Sequence, residues 1–266
     1  MLVALTRKAW YNDCDMINWE VYPVRRRLMG VCALALLLAL LCGVCVAEES
    51  ASAQDVPARE ALIDGILSLA GQLHDEAAGH PKRAHYASDI YICKNFTVHL
   101  FRENAENFRI EQYPDVPLVI PNNLPREDCK PYVYGVAWED VPAEAGNPFI
   151  VAAAFRYDSD LTKEQNRELA REFLMQAQRG DYFQMAADYY YGVGAHSMIF
   201  TADYDPETDT VHWTDSNMKG ETRNGERYAY VQYEAEKDID WFVNAFCRKR
   251  YGATIYRLRE DIVYAQ

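Results

Sequence analysis

The chain has 266 residues, of which 50% are hydrophobic and 25% charged, and a formal net charge of −13 at pH 7. That length and apolar content support one domain with a sizeable core. The acidic balance argues against a nucleic-acid binder, which needs a basic surface to neutralise phosphates.

Arg25-Arg26-Arg27 precedes an uncharged apolar run of 17 residues from Val31 to Ala47, and small and acidic residues follow it. This is the layout of a secretory leader. Cys45-Val46-Ala47 and Ala51-Ser52-Ala53 offer two small-residue cleavage frames, and the run is shorter than the ~20 residues of a comfortable membrane span. Residues 1–53 are therefore read as a leader, either cleaved or kept as a membrane tether through residues 31–47, and residues 54–266 as the working domain. Removing the five basic and three acidic side chains of residues 1–47 takes the net charge from −13 to −15.

Four of the seven cysteines go with the leader, leaving Cys93, Cys129 and Cys247. An odd count in an exported chain suggests one bridge and one free thiol. The expected division is a Cys129–Cys247 disulfide with Cys93 free; the alternative pairs Cys93 with one of the others.

In chain order, Leu62, Ile63, Ile66, Leu69, Ala70 and Leu73 recur at helical spacing and predict an amphipathic helix from Arg59 to about His74. A second helix is predicted to begin near Cys93, with Phe96, Leu100 and Phe101 facing the core. The stretch 107–160 is rich in proline, aspartate and asparagine and reads as an inserted loop-and-strand region. Thr162-x-x-Gln165 has capping-box spacing, and Leu169, Ala170, Phe173, Leu174 and Ala177 trace the face of the helix that follows, which is expected to stop at Gly180. Strand signals then dominate at Asp181–Met185, Ser197–Ala202, Thr210–Thr214, Tyr228–Tyr233 and Thr254–Leu258. A helix over Asp238–Tyr251, closed by Gly252, separates the last two. The expected class is α+β, with helices first and a mostly antiparallel sheet later.

Cys93 sits where the extended run Ile90-Tyr91-Ile92 turns helical. A thiol at a helix N-terminus has its thiolate favoured by the helix dipole and by unpaired backbone N–H groups. About a hundred residues later His196 opens a strand, Asp205-Pro206-Glu207 supplies a turn, and Val211 to Asn217 returns. A turn centred between positions 205 and 207 puts residues 214 to 218 opposite His196. Alternation places Trp213, Asp215 and Asn217 on one face there. Asp215, or else Asn217, is thus expected to fix the imidazole, leaving its other nitrogen for Cys93. His99 lies on the nucleophile helix but points away from Cys93, and His85 reads as a loop residue. The scattered histidines and the lack of Cys-x-x-Cys or His-Glu-x-x-His give no expectation of a metal or cofactor.

The order Cys-x-Asn-Phe on a helix, Gly180-Asp181-Tyr182-Phe183-Gln184, then His196-Ser197-Met198-Ile199-Phe200 and a polar third member resembles the NlpC/P60 and CHAP-type cysteine peptidases and amidases of the papain-like group. The likeness covers roughly residues 85 to 218. It implies a nucleophile helix packed on a mostly antiparallel sheet, with Cys93 attacking an amide carbonyl, His196 as base and Asp215 or Asn217 orienting it. It also implies an oxyanion site at the Cys93 backbone N–H with Tyr86 assisting. Many members of the group cut peptide or amide bonds in bacterial cell walls, so the implied partner is a peptide or peptidoglycan substrate. Members usually carry Asp-Cys-Ser-Gly-Phe at the nucleophile; Ile92 and Lys94-Asn95 depart from that and leave the substrate open. A transglutaminase-like acyl transferase has the same Cys-His-Asp order, with Trp213-Thr214-Asp215 as its aromatic-rich strand. An exported binding module on the same fold is the non-catalytic alternative. Tyr189-Tyr190-Tyr191 either walls a cleft beside His196 or packs at the sheet margin.

Overall fold

The computed structural model describes residues 56–79, 88–121, 137–188, 193–217, 222–223, 226–227 and 229–266. The leader, Tyr86, His85, Cys129 and Tyr189–Tyr191 lie outside the described residues. Residues 57–266 form one compact unit.

Helix α1 (Ala58–Gly79) runs five residues past the expected end at His74. Its apolar stripe continues, since Leu62, Ile66, Ala70 and Leu73 are buried and so is Ala77. One short turn of helix, α2 (Ser88–Tyr91), leads into α3 (Cys93–Asn104). Ile92 is the N-cap of α3, extended at φ −90° and ψ 139°, and its side chain makes no capping hydrogen bond. The core face of α3 is the expected one, with Phe96, Leu100 and Phe101 at 0–1% exposure.

The stretch 107–160 supplies strands to both described sheets that it meets. Strand β1 (Phe108–Ile110) pairs with a strand at the chain's end, and β2 (Phe149–Arg156) is an edge strand of the main sheet. Helix α4 (Lys163–Leu174) opens on the predicted capping box: Gln165 N–H donates to Thr162 Oγ1 at 3.2 Å, and Thr162 N–H to Gln165 Oε1 at 2.9 Å. The strands that follow are β3 (Tyr182–Asp188), β4 (Val193–Phe200), β5 (Thr210–Asn217), the short pair β6 (Thr222–Arg223) and β7 (Glu226–Arg227), and β8 (Tyr230–Asp238). Helix α5 (Ile239–Phe246) stops five residues short of Tyr251, because the backbone turns at Cys247 and again at Arg250, where φ is 72°. Gly252 opens β9 (Gly252–Leu258) instead of closing that helix, and β10 (Ile262–Tyr264) pairs with β1.

The six-stranded sheet has the order β2-β9-β3-β4-β5-β8, and every pairing described in it is antiparallel. The α+β class and the antiparallel sheet are as expected. Period-two alternation sorts its side chains to two covered faces. Tyr182 meets Trp138 and Phe149, on the side of α1 and α3, while its neighbour Phe183 meets Phe173 and Phe246 of α4 and α5.

A bulge between Val151 and Ala153 explains an apparent violation in β2. Phe149 and Phe155 have the same parity, yet Phe149 packs on Phe101 and Phe155 on Phe173 and Phe246. One extra residue in the strand is what reverses the face. Gly180, at φ 85°, enters β3 where a Cβ would come within 2.7 Å of Ile63. Asp181 beside it is buried and holds the Arg257 guanidinium at 2.9 and 2.7 Å. The Gly180-Asp181 part of the sequence signature is therefore a framework feature.

Candidate active site

Cys93 is the first residue of α3 and is half-buried. Ile92 offers no side-chain cap to the first N–H groups of the helix. The backbone N–H groups of Lys94 and Ser197 both point at the Cys93 sulfur. Helix and strand β4 thus meet at this atom.

His196 lies on β4, and its Nε2 is 2.6 Å from Asp215 Oδ2 on β5. The two side chains are 10% and 4% exposed. The ladder described between these strands covers Ile199↔Thr214 and Phe200↔Trp213. Counting three further places Asn217 across from His196 and Asp215 diagonal to it, within reach of an imidazole. The structure brings Asp215 to the ring. Asn217 pairs with Tyr230 through its backbone. With Nε2 committed to Asp215, Nδ1 is the nitrogen left for Cys93, with which His196 shares a hydrogen bond. His99 is turned to Glu103 at 3.6 Å, on its own helix.

Burial alone would raise the Cys93 thiol. The hydrogen bond and charge of His196, together with the Ser197 and Lys94 N–H groups, outweigh burial and hold the thiol below its ordinary range. Burial likewise works against a charged His196, but Asp215 and Cys93 hold its imidazole well above the usual value. The pair is disposed to exist as thiolate and imidazolium. Lys94 is drawn down by burial, with the Cys93 charge resisting.

Two supports were not visible in the sequence reading. Gln232 on β8 donates from Nε2 to Asp215 Oδ1 at 2.8 Å, so both carboxylate oxygens are held, one by His196 and one by Gln232. The signal was the alternation of the Tyr228–Tyr233 run, but using it needs the pairing Asp215↔Gln232, which crosses a β5–β8 register shift. The second support is Ser216, whose hydroxyl donates to the Tyr91 carbonyl at 3.2 Å and ties β5 to the segment just before Cys93.

Cys247, expected in a disulfide with Cys129, carries a free thiol at the C-cap of α5. Burial pushes that thiol up, against the pull of Arg167 and Lys163. This is the opposite of Cys93, so the two described thiols differ in kind. No family model, curated protein or solved structure matches the chain.

Proposed function

We propose that the protein is an exported papain-like cysteine hydrolase that cleaves an amide bond through a thioester on Cys93. The observation that carries this reading is the chain of contacts at one point: a helix N-terminal sulfur hydrogen-bonded to His196, whose Nε2 is 2.6 Å from Asp215. A buried acid–base pair oriented by a third group is what a nucleophilic cysteine requires.

In the first step the Cys93 thiolate attacks the amide carbonyl carbon, and the carbonyl oxygen takes the negative charge. The Cys93 backbone N–H at the uncapped start of α3 faces that oxygen, with Tyr86 as its proposed companion. His196 gives its proton to the amide nitrogen as the C–N bond breaks, releasing the amine and leaving the thioester. Neutral His196 then takes a proton from water, whose oxygen attacks the thioester. Collapse returns the carboxylic acid, the thiolate and the imidazolium. Asp215, held by Gln232, keeps the ring aligned through both halves.

The leader and the resemblance to NlpC/P60 and CHAP enzymes point to a substrate outside the cytoplasm, a peptide or a peptidoglycan stem peptide. The acyl-enzyme is common to hydrolysis and to amine transfer, so the acceptor decides between them. A labelled primary amine in the assay distinguishes the transglutaminase-like outcome.

The test is alkylation of the unreduced protein with iodoacetamide across a pH series, with sites read by mass spectrometry. Selective modification of Cys93 below pH 7 is expected, since its thiol is lowered and an ordinary one ionises at ~8.5. Cys247 should lag behind, and its recovery linked to Cys129 would restore the disulfide. Cys93→Ala and His196→Ala should each abolish turnover with little change in melting temperature. An unreactive Cys93, or turnover that survives both substitutions, would leave the binding module as the better reading.

A further inference from the structure

A row of buried polar side chains crosses the sheet beneath the start of α3. Thr254 on β9 pairs with Gln184 on β3, and Gln184 pairs with Ser197 on β4. Counting on from Ile199↔Thr214 brings Ser216 of β5 into the same row. Their exposures are 2%, 1%, 3% and 0%. The neighbouring row on that face runs through Tyr256, Tyr182 and Ile199, all at 0%, and meets a polar side chain only at Thr214 on β5. The polar row therefore interrupts a core face, and it does so where the sheet meets the Cys93 sulfur.

Within the row, Ser197 Oγ donates to Gln184 Oε1, while Gln184 Nε2 has no hydrogen-bond partner among the described residues. A buried amide with its donor unmade destabilises a fold, and an apolar side chain of the same length would remove that cost. Stability alone does not explain a glutamine here. Its location does. Beyond His196 the β3–β4 ladder loses its regular step, because Met185 pairs with His196 but Ala186 with Gly194. Ala195 is thus an extra residue directly before the histidine, a bulge of the kind that re-aims a side chain beside a site. Met185↔His196 borders this break and Gln184↔Ser197 is the next pair in, and Ser197 is also the residue whose backbone N–H meets the sulfur.

We propose that Gln184 and Ser197 form a positioning pair that clamps β4 beside the Ala195 bulge, holding the Ser197 N–H on the Cys93 sulfur and His196 within reach of it. Neither side chain touches substrate. Both act through the strand that carries the base, and the role rests on the reading of Cys93 as the nucleophile.

The experiment compares the pH profile of Cys93 alkylation and the melting temperature in four single variants of the full chain. Gln184→Met should lower the alkylation rate at pH 6.5 by at least fivefold and move its midpoint upward, while the melting temperature stays level or rises. Ser197→Ala should move the midpoint in the same direction, and Ser197→Thr, which keeps the hydroxyl on a side chain suited to strands, should alkylate like the parent. Thr254→Val, on the far side of Gln184 from Ser197, should also match the parent. Parental midpoints in both Gln184→Met and Ser197→Ala would overturn the proposal, as would an equal shift in Thr254→Val. Should Gln184→Met fail to fold, the two Ser197 variants decide. If the parent itself shows no Cys93 labelling below pH 7, the nucleophile reading falls and the positioning role falls with it. A reactive parent with unaffected variants removes the positioning role alone.

Discussion

The two faces of the sheet are both buried, but they are built of different material. Against α4 and α5 aromatic rings form the backbone of the layer: Phe155, Phe173, Phe183, Phe200, Trp213, Phe242 and Phe246 make a chain of ring contacts with centroids 4.8–6.5 Å apart. Against α1 and α3 an apolar layer around Trp138, Phe149 and Tyr182 gives way, toward the start of α3, to Thr254, Gln184, Ser197 and Ser216. Rings pack without needing partners for polar atoms, so the first face can be dry and tolerant of small shifts. The second must satisfy hydrogen bonds in a low dielectric, where geometry matters more and each bond is stronger. The comparison teaches that one sheet can carry a dry aromatic layer on one side and, on the other, a hydrogen-bonded row whose residues border the site.

The largest effect is expected from Asp215→Asn, at the site that the polar row borders. The amide cannot supply the charge that stabilises the imidazolium, and in well-studied triads this substitution costs on the order of a thousandfold or more in turnover. Turnover should fall by that order here, and the Cys93 alkylation midpoint should move upward as His196 loses its largest charge-stabilising contact. A parental midpoint would mean the site is not organised by Asp215. Within the aromatic layer, Phe246→Ala should cost about 3–5 kcal/mol in urea unfolding, since the ring is fully buried against Phe155, Phe173 and Phe183. The Cys93 midpoint should stay put; movement would show the layer and the site to be coupled. The smallest effect is expected from Thr162→Ala, which removes one half of the α4 capping box. It should lower unfolding free energy by ~1 kcal/mol and leave alkylation unchanged at every pH.

The two folded-state ionisations also set opposite dependences of stability on pH. His196 is raised in the folded protein, so its contribution is complete below its ordinary value of ~6.5 and is lost as pH climbs through the raised one. Cys93 is lowered, so its contribution is present above the ordinary thiol value and is lost as pH falls through the lowered one.

The parts of the site legible in the sequence were those with local signals. Cys93 was marked by the change from extended to helical pattern, and Asp215 by a hairpin whose turn residues limited the register to a few positions. Asp205 does anchor that turn, accepting from the Glu207 N–H at 2.8 Å. Gln232 and Gln184 lie in runs that the pattern does mark as strands, but their roles, like the Ala195 bulge, carry no local mark. Each depends on pairing between strands and on a register irregularity, which periodicity in one strand does not contain. The same cause hid the role of residues 107–160. Phe149–Arg156 was read as an apolar run in an insertion, and only its pairing with β9 shows it to be an edge of the sheet.

That edge strand has a consequence in concentrated solution. Phe149–Arg156 has no charge before its last residue, and Ile150 and Val151 are 44% and 42% exposed. Straight strands of this composition at a sheet's margin recruit other chains by backbone pairing. The irregularity between Val151 and Ala153 breaks the run of evenly spaced donors and acceptors after three residues and turns the strand's direction. The residue that sends Phe155 to the aromatic face therefore also shortens the template on which an aggregate could grow.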